Sequence, residues 1–188
     1  MSNTGAELTQ LIDEAKQIAA DTTNTFGALS AAQLNWKPAA ERWSVAQCLE
    51  HLIVANKGFF PIFDSIVKGD HKTKAMERVP VLPKLWGKLI VNSQRPTSTR
   101  KYKAPKRFQP AQSDLRETIV KDFVDQQDRV MEVMKATQGL DHDALIITSP
   151  VAGFITYSLM DAFRRIVVHE QRHILQAKRV KAEANFPA

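Results

Sequence analysis

The stretch Asp161-Ala-Phe-Arg-Arg-Ile-Val-Val-His-Glu-Gln-Arg-His-Ile-Leu-Gln176 carries an apolar stripe interrupted at two places by histidine. Read as a helix, its inward positions are Leu159, Ala162, Ile166, His169, His173, Gln176 and Val180. These steps alternate three and four residues, which keeps them on one face. His169 and His173 therefore stand where a core helix normally carries Leu or Ile. At i and i+4 both imidazoles project the same way, near enough to share one metal ion. A lone histidine on such a stripe is ordinarily a hydrogen-bonded core residue, whereas a pair at ligand spacing points to a metal.

Outward from this segment, four capping signatures mark helix starts: Thr4-Gly-Ala-Glu7, Ser44-Val-Ala-Gln47, Asp114-Leu-Arg-Glu117 and Ser158-Leu-Met-Asp161. Each puts a capping side chain three residues before an acid or amide and ahead of an apolar pattern of helical period. The expected helices span about 4–29, 44–68, 114–138 and 157–182. The first buries Leu8, Leu11, Ile12, Ala15, Ile18, Ala19, Thr22, Phe26 and Leu29. The second buries Val45, Cys48, Leu49, Leu52, Ala55, Phe59, Phe63 and Ile66, with Trp43 stapled against Cys48 and a kink or early end at Pro61. The third is expected to end at a Gly139 cap. Lys178, Arg179 and Lys181 complement the dipole at the end of the fourth.

Residues 70–111 read differently. Pro80, Pro83, Pro96, Pro105 and Pro110 preclude a long helix, and only Leu82–Val91 fits a short one. From Arg78 to Ala111 the charges are all basic: Arg78, Lys84, Lys88, Arg95, Arg100, Lys101, Lys103, Lys106 and Arg107. The expectation is an all-α fold, a four-helix bundle in up-down-down-up order, with a long irregular crossover over 70–111 between its second and third helices. At 188 residues, one domain covers 1–188. The single cysteine, Cys48, excludes an internal disulfide and suits a reducing compartment. No signal-like or membrane-length apolar run is present, so a cytoplasmic location with no membrane partner is expected. Net charge is +6. The basic crossover has few stacking groups and no recognition helix, which argues against nucleic acid.

Of the five histidines, His71 and His142 sit in polar surroundings and read as surface residues. His51 falls at the inner edge of the second helix, about 40° from Ala55. If the second and fourth helices are neighbours, His51 meets His169 and His173. Three imidazoles from two helices leave coordination positions open, the pattern of a catalytic rather than a structural centre.

Trp43-Ser-Val-Ala-Gln-Cys-Leu-Glu-His51-Leu, followed by His169-Glu-Gln-Arg-His173-Ile-Leu-Gln176, resembles the DinB-like superfamily, which includes the bacillithiol-transferase-type proteins of bacteria. Tyr102-Lys-Ala-Pro-Lys-Arg-Phe-Gln-Pro110 resembles the crossover of that group. The resemblance covers most of the chain and implies a four-helix bundle with a divalent metal held by His51, His169 and His173. It also implies thiol-dependent transferase or isomerase chemistry with a low-molecular-weight thiol, although many members of the group have no known activity.

His169-Glu-Gln-Arg-His173 also matches H-E-x-x-H, the zinc-protease signature. The extended motif fails at Gln176 and Arg179, and Glu183 lies about 15 Å further along the axis. A ferritin-like di-metal centre fails because Gln47 stands where its second glutamate is needed. Cys48 reads as a packed, inert thiol rather than a fourth ligand.

The resulting expectation is a metal-dependent transferase or hydrolase in which the metal activates a thiol or water. Zinc or nickel is the first choice, and iron or manganese a further option. Glu170 is the candidate catalytic base, weighed against a solvated helix glutamate. Expected partners are a small-molecule substrate or thiol and a second copy in a homodimer. The alternative is a non-catalytic metal-binding or helical interaction protein.

Overall fold

The computed structural model describes residues 3–79, 82–95, 106–111 and 115–188. The chain is mostly helical, with seven α-helices among these residues. Helix α1 (Asn3–Phe26) already includes Thr4, so the expected Thr4 cap is not used, and it stops short of Leu29. A short α2 (Ala31–Asn35) follows, opened by a reciprocal Ser30–Gln33 capping box. Helix α3 (Val45–Lys57) opens with the Ser44–Gln47 box as expected.

The expected helix over 44–68 divides at Gly58–Phe59, and α4 (Phe60–Val67) takes Pro61 into its first turn. Proline has no N–H to continue the ladder and its ring crowds the carbonyl four residues back, so the chain restarts there. Gly69, at φ 73°, ends α4 in left-handed backbone. Its N–H bonds Ile66 O at 3.0 Å and that of Asp70 bonds Ser65 O at 3.0 Å, the paired closure of a Schellman motif.

The crossover is less irregular than its prolines suggest. It holds a 3₁₀ turn (Ala75–Arg78), α5 (Leu82–Gln94) and a second 3₁₀ turn (Lys106–Phe108). Helix α5 tolerates Pro83 because the first turn needs no N–H there. Arg100, Lys101, Lys103, Tyr102 and the Asp114 cap lie outside the described residues.

Helix α6 (Ile119–Ala136) starts about one turn later than expected, at Thr118, whose side chain makes no capping bond. It ends at Thr137 rather than Gly139, and the Thr137 hydroxyl turns back to Val133 O at 2.9 Å. Strands β1 (Ile146–Thr148) and β2 (Thr156–Ser158) form an antiparallel ladder pairing Ile147 with Tyr157. This small sheet is an addition to a fold that is otherwise helical, as expected. Three-residue strands leave too little alternation to be read from sequence. Helix α7 (Leu159–Lys181) begins at Ser158, whose Oγ accepts from Asp161 N at 3.1 Å.

Helix α7 packs against α1, α3 and α5, while α6 packs against α1 and α3. Along α1 and α7 three contacts share one sequence offset. Glu7 meets Arg164 at 2.6 Å, Glu14 meets Gln171 at 3.1 Å and Asp21 meets Lys178 at 2.7 Å. These two helices therefore run parallel in fixed register. Helix α3 approaches α7 the other way, since His51 faces His169 and Asn56 faces Glu170, while Phe63 of α4 meets Phe163. The core between them is Leu8, Phe26, Leu49, Leu52, Phe63, Phe123, Phe163 and Ile166. No described helix is long and apolar enough to cross a membrane.

Candidate metal centre

His51 sits two turns into α3, and the Ser44 cap fixes where that helix begins. His169 and His173 are one turn apart on α7, as their spacing requires. The antiparallel approach brings all three rings together. His51 Nε2 lies 3.2 Å from His169 Nε2. One ring nitrogen from each histidine falls within 4.8 Å of the others, and this is the one such group of three or more among the described residues. Four nitrogens around a tetrahedral ion at normal bond length are about 3.3 Å apart, so the three need only a small contraction to share an ion.

Hydrogen bonds behind two of the rings set their tautomers. His51 Nδ1 is 2.6 Å from Phe108 O, and His173 Nδ1 is 3.0 Å from Gln176 Oε1. A carbonyl oxygen only accepts, so each Nδ1 carries its hydrogen and each Nε2 keeps a lone pair for a metal. Behind His169 the arrangement is open, because its buried Nδ1 has no partner.

A model of the DinB superfamily matches residues 14–177. The chain belongs to the DinB superfamily. Neither the curated proteins nor the solved structures compared with it gave a match.

In this DinB-superfamily chain the electrostatics favour neutral rings. Burial lowers the pKa of His51 and takes that of His169 well below its ordinary value, helped by His173 and Arg165. His173 falls to about 3, through burial first and the neighbouring His51 second. Neutral imidazole is the form that ligates a metal. Trp43 covers two of the rings, its centroid 4.9 Å from that of His51 and 5.7 Å from that of His173 in a stacked geometry. The sequence suggested only a packing role for this tryptophan, against Cys48.

Glu170 is not a solvated helix residue. It is fully buried, and its two oxygens accept from Asn56 Nδ2 and Gln127 Nε2, each at 2.7 Å. Burial raises its pKa to about 7 against the opposing pull of those two bonds. Asn56 and Gln127 escape a sequence reading because their partner is on another helix. Gln176 lay on the quoted stripe, three residues beyond His173, and was the one readable sign of a supporting residue.

The other candidates stay apart from the centre. Cys48 is buried, and burial pushes its thiol pKa up, as an inert packed thiol requires. Gln47 donates to Ala111 O at 2.8 Å. His142 is buried rather than at the surface: it bonds Thr137 Oγ1 at 3.1 Å and packs on Phe163. His71 is half-buried, 3.2 Å from Ser65 Oγ and 3.7 Å from the buried Glu77 carboxylate. Arg107 of the basic crossover donates to the carbonyls of Pro150 and Val151 in the loop between β1 and β2.

Proposed function

We propose that His51, His169 and His173 hold one divalent metal ion and that the protein is a metal-dependent transferase or hydrolase acting on a small molecule. The observation that carries this reading is the convergence of three neutral imidazoles, two buried and one half-buried, two of them with Nδ1 tied to a carbonyl oxygen so that Nε2 keeps its lone pair. With the His51 hydrogen on Nδ1, the 3.2 Å contact is a hydrogen bond donated by His169 Nε2, and a shared ion would replace that one hydrogen and engage the third ring as well. When bound, a divalent metal supplies Lewis acidity and lowers the pKa of a thiol or water toward neutrality.

The chain's own residues do the remaining work. His51 and His173 are held in the ligand tautomer by Phe108 O and Gln176 Oε1. Trp43 shields the rings and lowers the local polarity. Zinc or nickel suits imidazole ligands best, with iron or manganese as further options. A low-molecular-weight thiol is the proposed co-substrate. The framework is one domain, a four-helix bundle of α1, α3–α4, α6 and α7 in up-down-down-up order, and the setting a reducing cytoplasm.

A second reading, a non-catalytic metal-binding protein, draws support from Glu170. It is fully buried with each oxygen held by an amide from another helix, which fits a group that braces α3, α6 and α7 rather than one that meets substrate. Metal analysis of the purified protein, followed by a panel of thiols with electrophiles and of hydrolysable esters and amides, separates the two. Stoichiometric metal with turnover supports the enzyme, and stoichiometric metal without turnover the binding protein. Absence of any divalent metal binding, at concentrations that load ordinary three-histidine sites, would refute both.

A further inference from the structure

Arg165 stands one helical turn before His169 on the same side of α7, and it is only 7% exposed. Its guanidinium lies over the Phe59 ring, 5.3 Å from the centroid, and its buried Nη1 has no hydrogen-bond partner. A guanidinium cannot shed its proton, so a buried one without an acceptor is costly. The nearest groups do not supply that acceptor. Glu170 feels the charge, yet its two oxygens are taken by Asn56 and Gln127, and the two residues form no ion pair. Tyr157 also feels the charge, and its buried phenol oxygen has no group in good hydrogen-bond geometry, with the Ser149 hydroxyl close enough to lower its pKa. Ser149, beside that phenol, has its own Oγ engaged by Val151 N at 3.2 Å. His169 Nδ1 adds a third partnerless buried atom one turn away. Arg165 and Tyr157 supply donors, His169 Nδ1–H becomes a third once Nε2 holds a metal, and an acceptor is missing.

We propose that Arg165 and the Tyr157 hydroxyl form an anion subsite that takes the carboxylate of a small organic acid whose other end faces the three histidines. The orientation of that other end rests on the metal reading above, whereas the anion subsite does not. A planar carboxylate matches the guanidinium fork and brings one negative charge. A phosphate dianion would be left undercompensated by a single buried cation with Glu170 close by. Residues 165 and 169 are about 6 Å apart along the helix axis, a span that suits a carboxylate and a reacting atom separated by about two or three carbons.

The test compares β-mercaptopropionate with the uncharged mercaptopropanol. Both are titrated into cobalt(II)-loaded protein, following thiolate-to-cobalt absorption, and into metal-free protein, following thermal stability. The acid should bind at least about tenfold more tightly than the alcohol. Arg165→Met should bring the two to parity, and Tyr157→Phe should narrow the gap. Arg165→Met should fold at least as stably as the wild type, since it removes a buried guanidinium that no acceptor satisfies. A marked drop in its thermal midpoint would mean that the guanidinium is already paired, which overturns the proposal. Equal binding of acid and alcohol by the wild type overturns it without recourse to any variant, as does selectivity that survives Arg165→Met. If cobalt does not bind, the metal reading alone fails, and the metal-free arm still decides. There the acid but not the alcohol should stabilise the wild type, and an absent or Arg165-independent effect overturns the subsite.

Discussion

Replacing Glu170 by glutamine in protein stripped of metal should make the stability difference from wild type depend on pH. The carboxylate is buried and accepts one amide hydrogen on each oxygen. Glutamine offers one oxygen and one NH₂, so one side would set NH₂ against NH₂. The Asn56 and Gln127 carbonyl oxygens are both buried without partners. Rotating either amide restores the lost contact and exchanges one unpaired group for another. The loss is then confined to weakened charge-assisted bonds, up to about 2 kcal/mol, offset by removal of a buried charge.

The titration gives the sharper signal. The Glu170 pKa is raised from 4.5 to about 7. Because the folded state holds the proton more tightly, this group stabilises the wild type as pH falls from about 7 to 4.5, and the gain is gone above the folded value. Between about pH 8 and pH 5 the change is on the order of 2.5 kcal/mol, which glutamine cannot reproduce. For a chain of this size that is roughly 5–10 °C in thermal midpoint. The histidines titrate in both proteins and cancel in the difference. Paired thermal melts of wild type and Glu170→Gln across this pH range measure it. A difference that stays constant from pH 8 to pH 5 would refute the reasoning, as would one that grows toward alkaline pH.

Each of His51→Ala, His169→Ala and His173→Ala should lower bound metal by at least about tenfold in affinity, and double variants should lose less than the sum of the singles, because the ligands act as a set; isothermal titration with zinc reads both effects. Since the folded pKa of His173 is depressed to about 3, protons compete poorly, and metal affinity should hold from about pH 8 to pH 6 before falling. A decline centred near 6.5 would contradict that. Gly87→Ala should lower the thermal midpoint by a few degrees. The added Cβ would meet the Asp161 carboxylate, with Cγ at 2.8 Å, and disturb its pair with Arg164. Overpacking of about 1–3 kcal/mol outweighs the roughly 0.5–1 kcal/mol that alanine gains in a helix.

The three histidines were legible because each lies on a helix whose buried face shows the period of 3.6. Two occupy core positions of α7 and one the edge of α3, and only the neighbour relation between the helices had to be supplied. The burial of Glu170 was not legible for the converse reason. A periodic pattern assigns a helix one buried face, but α1, α3 and α5 all pack on α7, so positions off the stripe are buried too. His142 stands between two aspartates, and nothing local reveals that the chain folds it back onto Thr137 and Phe163. Helix α5 was legible as Leu82–Val91 because Pro83 is harmless in a first turn, and only its residues beyond Val91 were hidden by the weak apolar signal of Asn92-Ser-Gln94.

The 2.6 Å contact between His51 Nδ1 and Phe108 O joins the ligand set to the backbone of the crossover. A cation held at Nε2 would draw electron density through the ring and make Nδ1–H a stronger donor, so occupation of the centre would tighten the hold on the turn at Lys106–Phe108. Thermodynamic linkage makes this reciprocal: whatever fastens that turn to the body raises metal affinity by the same factor. The turn at Lys106–Phe108 would thus take part in retaining the ion, and protease accessibility around Phe108 would gauge occupancy.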